Sequence, residues 1–269
     1  MGRLDGQHAL VTGAGSGLGR AIALAFAEEG ALVAFEDLDS GKAKQALDDS
    51  GGQGIALEGD VSDPSTVRGW FERIREEFGG LEILINNAGY VDRRDELQAR
   101  MATIMQEILT GGEQQTALDS TTALSDEAWS RMIAVHLNGT FYCTREALKL
   151  MQPARYGRVV SLASIAGTTG ISAVPHYSAA KGGIISFTKA VAREVVRLGI
   201  TVNAIAPGYI DTPLLDGVND LARRALIASI PVGRLGIPDE VVPAALFLVD
   251  PRNGFMTGQV VSPNGGEVI

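Results

Sequence analysis

The chain has 269 residues, a length that one doubly wound α/β domain fills. Hydrophobic residues at 45% and charged residues at 20% describe a folded globular chain, not a disordered one. A net charge of -9 without a long basic run argues against a nucleic-acid groove or an anionic membrane surface as partner, and one cysteine, Cys143, excludes an internal disulfide or a multi-cysteine metal site.

The elements alternate from the start. Residues 8–12 (HALVT) form a short apolar run entering glycines, the pattern of a buried strand. Residues 17–29 place Leu18, Ile22, Ala25 and Phe26 at helical spacing, and Gly30 closes that helix. A strand is expected over 31–36, a helix capped by Ser40 over 40–49, and a strand over 54–58. A helix with Pro64 at its first position follows over 63–78, then a strand over 81–86 (LEILIN). After a gap the rhythm returns: a helix over 125–151, a strand over 157–162, a helix over 177–198 and a strand over 200–206. A helix over 238–249 and a last strand over 259–262 complete the series. Such alternation implies parallel pairing, and apolar strands without polar alternation imply that both sheet faces are covered. The expected fold is therefore α/β: a Rossmann-like doubly wound parallel sheet of about seven strands with helices on both faces, forming one domain over residues 1–269.

Residues 90–122 break the rhythm. Leu97, Met101, Ile104, Met105 and Ile108 fall at i, i+4, i+7, i+8 and i+11, which predicts one amphipathic helix ended by Gly111 and Gly112. Its apolar stripe needs burial, so a flap over a pocket is the leading expectation; an added subunit contact and a mobile surface excursion are the alternatives. A second candidate lid is 213–229, which carries Leu214, Leu215 and Leu221 and suggests an apolar ligand. The opening residues, MGRLDGQHALVTG, hold no apolar stretch long enough for a signal peptide. With no span of roughly 20 apolar residues either, no membrane role and a reducing cytoplasm are expected.

The first strand runs into Thr12-Gly13-Ala14-Gly15-Ser16-Gly17-Leu18-Gly19, a G-x-x-x-G-x-G turn that opens a helix. Glycines allow the tight turn and the close approach of backbone, while free N–H groups at a helix start attract a pyrophosphate. Asp37 ends the second strand, 24 positions after Gly13 (37 minus 13). A carboxylate there accepts the two adenosine ribose hydroxyls and repels a 2′-phosphate, and neither Ser16 nor Leu38 is basic. The reading is NAD rather than NADP; a solvated turn carboxylate is the alternative for Asp37.

Further motifs stand in order. Asn86-Asn87-Ala88-Gly89 follows the fourth strand, and Tyr177-Ser178-Ala179-Ala180-Lys181 opens a helix. Ser164 lies 13 residues before Tyr177 (177 minus 164), and Pro207-Gly208-Tyr209-Ile210-Asp211-Thr212 follows the sixth strand. Together these resemble the single-domain branch of the short-chain dehydrogenase/reductase family over nearly the whole chain, apart from 90–122. Tyrosine is a weak base at neutral pH, with an ordinary pKa near 10. Tyr177 and Lys181 share a helix face, so an ammonium and a positive nicotinamide ring would favour the phenolate and lower that value. The resemblance makes Tyr177 the general acid/base, Lys181 a partner of the nicotinamide ribose, and Ser164 the hydrogen-bond donor to the substrate oxygen. It also implies that Asp60 and Val61 border the adenine, that Asn87, Ala88 and Gly89 line the middle of the cofactor, and that Pro207, Gly208, Ile210 and Thr212 meet the nicotinamide end. Ser16, Gly17, Leu18 and Gly19 complete the expected cofactor set.

One position departs from the family pattern. Where the family carries V-N-L-x-G, this chain reads Val135-His136-Leu137-Asn138-Gly139. The family asparagine helps hold a water near the lysine. His136 would hold the same water or carry the proton itself near neutral pH; a buried packing histidine is the alternative. No metal ligand cluster is visible. His176 is left unassigned, His8 and Cys143 read as structural, and Trp70 and Trp129 read as helix-packing residues.

The function expected is an NAD-dependent oxidoreductase interconverting a secondary alcohol and a ketone on a small, apolar molecule. A 3-oxoacyl-carrier reductase is the close alternative, against which Asp37 counts because that role normally uses NADPH. A sensor or scaffold that binds NAD(H) without turnover is the second class. A homotetramer is implied by resemblance alone.

Overall fold

Strand β1 (His8–Thr12) is buried along four of its five residues and pairs in parallel with β2 (Leu32–Asp37) on one side and β4 (Ile83–Asn86) on the other. These assignments come from a computed structural model that describes residues 2–92, 94–111 and 113–269. With β3 (Gly54–Glu58), β5 (Gly157–Leu162), β6 (Ile200–Ile205) and β7 (Val260–Val261), they make a seven-stranded parallel sheet in the order β3-β2-β1-β4-β5-β6-β7. The expected architecture is therefore the one observed. The chain moves outward from β1 to β3, then returns to start again at β4. That reversal places a crevice position outside the carboxyl ends of β1 and β4, where doubly wound sheets bind ligands.

Alternate residues of each strand feed two packed layers. On one face Val11, Val33, Phe35 and Ile85 meet Ile22 and Phe26 of α1 (Gly17–Glu28) and Leu248 of α10 (Val242–Val249). On the other face Leu10, Ala34, Leu84 and Val202 meet Trp70, Phe71 and Ile74 of α3 (Pro64–Phe78), Met151 of α6 (Gly139–Ala154) and Val195 of α8 (Pro175–Val195). Each large apolar side chain so buried contributes roughly 1.5–3 kcal/mol.

Caps set the helix starts. Asp63 accepts the Ser65 N–H ahead of Pro64, and Ser125 accepts the Ala128 N–H at the start of α5 (Asp126–Ile133). At α2 (Ser40–Asp49) the cap is Asp39, which accepts from Gly41 and Lys42, and not the expected Ser40. A carboxylate one residue earlier reaches two N–H groups where a serine hydroxyl reaches one. The strand expected from residue 81 begins at Ile83, with Glu82 just before it already bonding His8 and Arg158 through its backbone. The single helix expected over 125–151 is α5 and α6 joined through a π turn, Ala134–Asn138. The short helices α7 (Ile165–Thr169) and α9 (Asp220–Ser229) were not foreseen as separate elements. Trp70 packs as expected and donates its indole N–H to the Glu58 carbonyl, but Trp129 is 44% exposed.

The expected amphipathic helix is α4 (Asp95–Leu109). Of the expected terminating pair, Gly111 lies in a left-handed turn, while Gly112 falls outside the described residues. The stripe stays largely uncovered: Leu97 is buried, whereas Met101, Met105 and Ile108 are 47%, 46% and 57% exposed. The helix instead folds back on the segment that follows it. Glu107 accepts from Gln115 and Thr116, and Arg100 reaches Ala117 and Asp119. At its foot, Arg94 donates to the carbonyls of Ser120 and Ala173, tying this segment to the loop before α8. Among the described residues no helix is long and apolar enough to cross a membrane.

Candidate active site

The Gly-rich turn joins β1 to α1 at one lip of the crevice. Gly13 and Gly17 have φ of +65° and +54°, the left-handed region that favours glycine. A Cβ at Gly19 would stand 2.2 Å from the Gly13 carbonyl oxygen, so only glycine lets α1 rise this close to the turn. Ser16 precedes α1 in extended backbone, and no side chain caps the helix there. The first N–H groups of α1, including those of Leu18 and Gly19, are thus left for a ligand, as a pyrophosphate site requires.

The N-N-A-G segment locks onto this turn. Thr12 Oγ1 accepts the N–H groups of Asn87 and Ala88 at 2.9 and 3.0 Å, and Asn87 Nδ2 donates to the carbonyls of Thr12 and Gly13 at 2.8 and 3.2 Å. Asn86 points away from the crevice and joins Thr144 to Ser161. Thr12 is a residue that sequence reading passed over, although it carries the joint between the two motifs.

At the outer end of the crevice Asp37 accepts the Gly15 N–H on Oδ2 and the Asp39 N–H on Oδ1, each at 3.0 Å. Its carboxylate therefore stands beside the glycine turn. Asp60 is held by Arg131 at 2.7 Å and by Ser62, and these contacts keep its carboxyl below the usual range against the opposing effect of burial. Val61 is buried beneath Gly139, where a Cβ would come within 2.9 Å of it. Lys42 was not singled out from the sequence, yet its Cβ packs where a Gly15 side chain would go, next to Asp37.

Across the crevice, Ser164 caps α7 by accepting the Ala166 N–H at 3.1 Å. A Cβ at Gly167 would lie 2.6 Å from the Lys181 backbone, so glycine lets α7 and α8 meet and brings Ser164 towards Tyr177. Lys181 is buried and donates from Nζ to the Leu162 carbonyl at 2.6 Å; Nζ lies 5.6 Å from the Tyr177 ring centre. Burial pushes the Lys181 ammonium down to about 7. Burial likewise pushes the Tyr177 phenol up to about 12, opposed by a hydrogen bond with Ser164. The lowered value expected for Tyr177 is therefore not what the protein alone produces. Desolvation of the phenolate outweighs the Ser164 hydrogen bond.

His136 sits in the π turn between α5 and α6, its ring edge-on to Tyr177 at 5.4 Å between ring centres. Its Nε2 is 2.8 Å from the Tyr90 carbonyl oxygen and 3.1 Å from the Tyr90 nitrogen. Burial and the neighbouring Lys181 charge push the imidazole down to about 3. The expectation that it carries a proton near neutral pH is thus corrected: the ring is neutral there and clamps the Tyr90 peptide. Gly89 makes room for it, since a Cβ at that position would fall 2.3 Å from Cε1 of the ring. His176, left unassigned from the sequence, is fully buried with Nε2 3.5 Å from Asp92.

The last expected group closes the crevice. The Pro207 carbonyl accepts from Ile165, the Gly208 N–H donates to the Pro263 carbonyl, and Ile210 is buried. Thr212 comes within 3.5 Å of where a Gly17 Cβ would be, so the segment after β6 reaches back over the start of α1. Groups far apart in sequence are thus brought together: Asp37 lies beside Gly15 of the turn, Asn87 and Ala88 bond Thr12 at the head of that turn, and Ser164, Tyr177 and Lys181 stand together.

The family model for short chain dehydrogenases matches residues 7–222. The chain belongs to the short-chain dehydrogenase/reductase family. It is 37% identical over 263 residues to a 3-oxoacyl-[acyl-carrier-protein] reductase of Vibrio cholerae, covering 98% of both chains. It is 36% identical over 266 residues to a (2S)-[(R)-hydroxy(phenyl)methyl]succinyl-CoA dehydrogenase subunit of Thauera aromatica, covering 98% of this chain and 97% of the relative. A solved short-chain type dehydrogenase/reductase from Mycobacterium marinum superposes with a TM-score of 0.85 at 30% identity, over 98% of this chain and 96% of that one. As a short-chain dehydrogenase/reductase, the protein is an oxidoreductase that acts on small molecules with a nicotinamide cofactor.

Proposed function

We propose that the protein is an NAD-dependent dehydrogenase that interconverts a secondary alcohol and a ketone on a small, apolar molecule, its whole length serving as one cofactor-binding domain. The observation that carries this reading is the joint placement of Asp37 beside Gly15 at one end of the cleft and of Ser164, Tyr177 and Lys181 at the other. Asp37 presents a carboxylate to the adenosine ribose and disfavours a 2′-phosphate. The turn and the uncapped start of α1 hold the pyrophosphate. When bound, NAD supplies the hydride acceptor. Tyr177 takes the hydroxyl proton during oxidation or returns it during reduction. Ser164 donates to the substrate oxygen and stabilises charge on it. Lys181 holds the nicotinamide ribose, and the positive ring is the charge that favours the Tyr177 phenolate. His136 fixes Tyr90 and the turn beside them and leaves the proton to Tyr177 and Lys181. A homotetramer in a reducing cytoplasm is the assembly and setting this reading carries.

A second reading is favoured by the relatives. The Vibrio cholerae and Thauera aromatica proteins are both named for thioester substrates with oxygen at or beyond the β carbon. The same catalytic residues would serve a 3-oxoacyl or 3-hydroxyacyl thioester. Lys42 beside Asp37 is the residue that would tolerate a 2′-phosphate in that case.

The test follows the NADH absorbance band with NAD and, separately, NADP, over a panel of aryl, alicyclic and aliphatic secondary alcohols and 3-hydroxyacyl-CoA thioesters. Turnover of simple alcohols with NAD is expected, with Asp37→Ala eroding the preference for NAD over NADP. Turnover confined to thioesters with NADP would replace the first reading by the second. An unchanged cofactor preference in Asp37→Ala would remove Asp37 from the argument.

A further inference from the structure

Strand β2 ends in two adjacent carboxylates, and neighbouring strand residues face opposite ways. Asp37 turns outward to the Gly15 N–H. Glu36 turns into the molecule and is 1% exposed, in an otherwise apolar strand. Its Oε2 accepts the Gly13 N–H at 3.2 Å, and its carbonyl accepts the Ala14 N–H at 2.6 Å. Both backbone groups belong to the Gly-rich turn, so Glu36 holds that turn from beneath.

No salt bridge reaches Glu36 among the described residues. The charges acting on it are all negative: Asp37 from the end of its own strand and Asp60 from the turn after β3, whose guanidinium partner is Arg131 of α5. From α6 the Cys143 thiol faces it and is pushed up in part by it. Burial, with these two carboxylates, raises Glu36 to about 8, so at neutral pH it is a neutral acid. A buried ionised carboxylate without a cation would be costly here. A dinucleotide diphosphate on the turn would add negative charge above the same group and raise its proton affinity further.

We propose that Glu36 is a second determinant of cofactor binding: its buried carboxyl supports the Gly13 end of the turn, and the turn takes up dinucleotide best while that carboxyl carries no charge. This rests on reading the cleft as an NAD(H) site. By linkage, a group whose pKa rises on binding makes affinity constant below its free value and weaker above it. Cofactor uptake is then a proton-linked event, and its apolar-strand glutamate is the group that links it.

The test is a titration of NADH, and separately NADPH, by fluorescence from pH 6 to 9.5 on the wild type and on Glu36→Gln. Glutamine still accepts the Gly13 N–H but has no proton to lose. The wild-type Kd for NADH is expected to be flat to about pH 7.5 and then to weaken by up to roughly tenfold per pH unit, as linkage to one proton allows. Glu36→Gln is expected to bind as tightly at pH 9 as at pH 7. Lys181 also titrates near the cleft, so the decisive quantity is the part of the slope that Glu36→Gln removes. A wild-type slope that survives in Glu36→Gln, or a flat wild-type profile, overturns the proposal while leaving the NAD(H) reading intact. Failure of both dinucleotides to bind at any pH overturns that reading and the proposal with it. Tight NADPH in place of NADH refutes the role of Asp37, and Glu36 is then judged by the same slope with NADPH. If Glu36→Gln does not fold, calorimetry of the wild type at pH 8.5 in two buffers of different ionisation enthalpy decides. Proton uptake on binding supports the proposal, and none overturns it.

Discussion

Replacing Lys181 by methionine should stabilise the protein while abolishing its activity. Lys181 is buried, with Nζ donating to the Leu162 carbonyl at 2.6 Å, and burial moves its value from 10.5 to about 7. The sign follows from the depressed value. The group's favourable contribution is fully present above the unfolded 10.5 and is lost as pH falls through the folded value near 7. The full difference, 10.5 minus 7, corresponds to about 5 kcal/mol at 1.36 kcal/mol per unit, and at pH 7 to roughly 4 kcal/mol. Methionine removes that cost but leaves the Leu162 carbonyl without its donor, at about 1–3 kcal/mol. The net gain is on the order of 1–3 kcal/mol, or several degrees in Tm for a chain of this size. The assay is denaturant unfolding of both proteins from pH 6.5 to 10, compared as variant minus wild type. That difference cancels the opposite slope from Glu36, whose raised value makes stability fall as pH rises towards 8. The variant's advantage should be largest at low pH in this window and reverse towards pH 10, where the cost of the buried ammonium has nearly gone and the unmade Leu162 hydrogen bond remains. A variant that is less stable than wild type at pH 7, with the difference flat across pH, refutes the claim that Lys181 is held near neutrality by burial.

Two further substitutions probe the same cleft. Tyr177→Phe removes the acid/base hydroxyl without changing ring size, so kcat should fall by roughly 10²–10⁴-fold. NADH affinity measured by fluorescence should stay within about twofold of wild type, and a variant retaining most of its turnover would take Tyr177 out of the chemistry. Gly89→Ala places a methyl 2.3 Å from Cε1 of His136, which must swing away and release Tyr90. Overpacking and the lost hydrogen bond together should cost about 2–4 kcal/mol in denaturant unfolding. Adding His136→Asn, a shorter side chain with both a donor and an acceptor for the Tyr90 peptide, should recover most of it. A Gly89→Ala variant as stable as wild type would show that the ring does not occupy that space.

Much of the fold was written in short-range patterns. Apolar runs without polar alternation are forced when a strand is covered on both faces, so β1 to β6 could be located from residues alone. Tyr177 and Lys181 could be paired because four positions make one helix turn. The Gly-rich turn was legible because left-handed Gly13 and Gly17 leave few other residue choices. What escaped was set by partners far along the chain. His136 is clamped by the backbone of a residue 46 positions away, and no local pattern states that its Nε2 faces a peptide. Glu36 drew no reading from the sequence, because a charged residue beside Asp37 gives no sign of which of the two faces the packed layer. The stripe of α4 was correctly periodic, yet periodicity says only that a face is apolar and not that the chain supplies something to cover it. The Tyr177 value ran opposite to expectation because spacing reveals a neighbouring ammonium and not how much water the packing removes.

The two displaced groups explain each other through their positions. Glu36 lies beneath the Gly-rich turn and Lys181 beneath the α7–α8 contact, near opposite ends of the cleft, and burial drives each towards its neutral form. A protein selected for stability alone would place apolar residues at both positions. Each instead has one polar anchor: a backbone N–H of the turn for Glu36 and the Leu162 carbonyl at the end of β5 for Lys181. Neutral groups so placed respond in opposite directions to added charge. Negative charge near the turn reinforces the proton on Glu36, and positive charge near Tyr177 discourages the proton on Lys181. A ligand with a diphosphate at one end and a positive ring at the other would bias both groups in the direction in which burial already holds them.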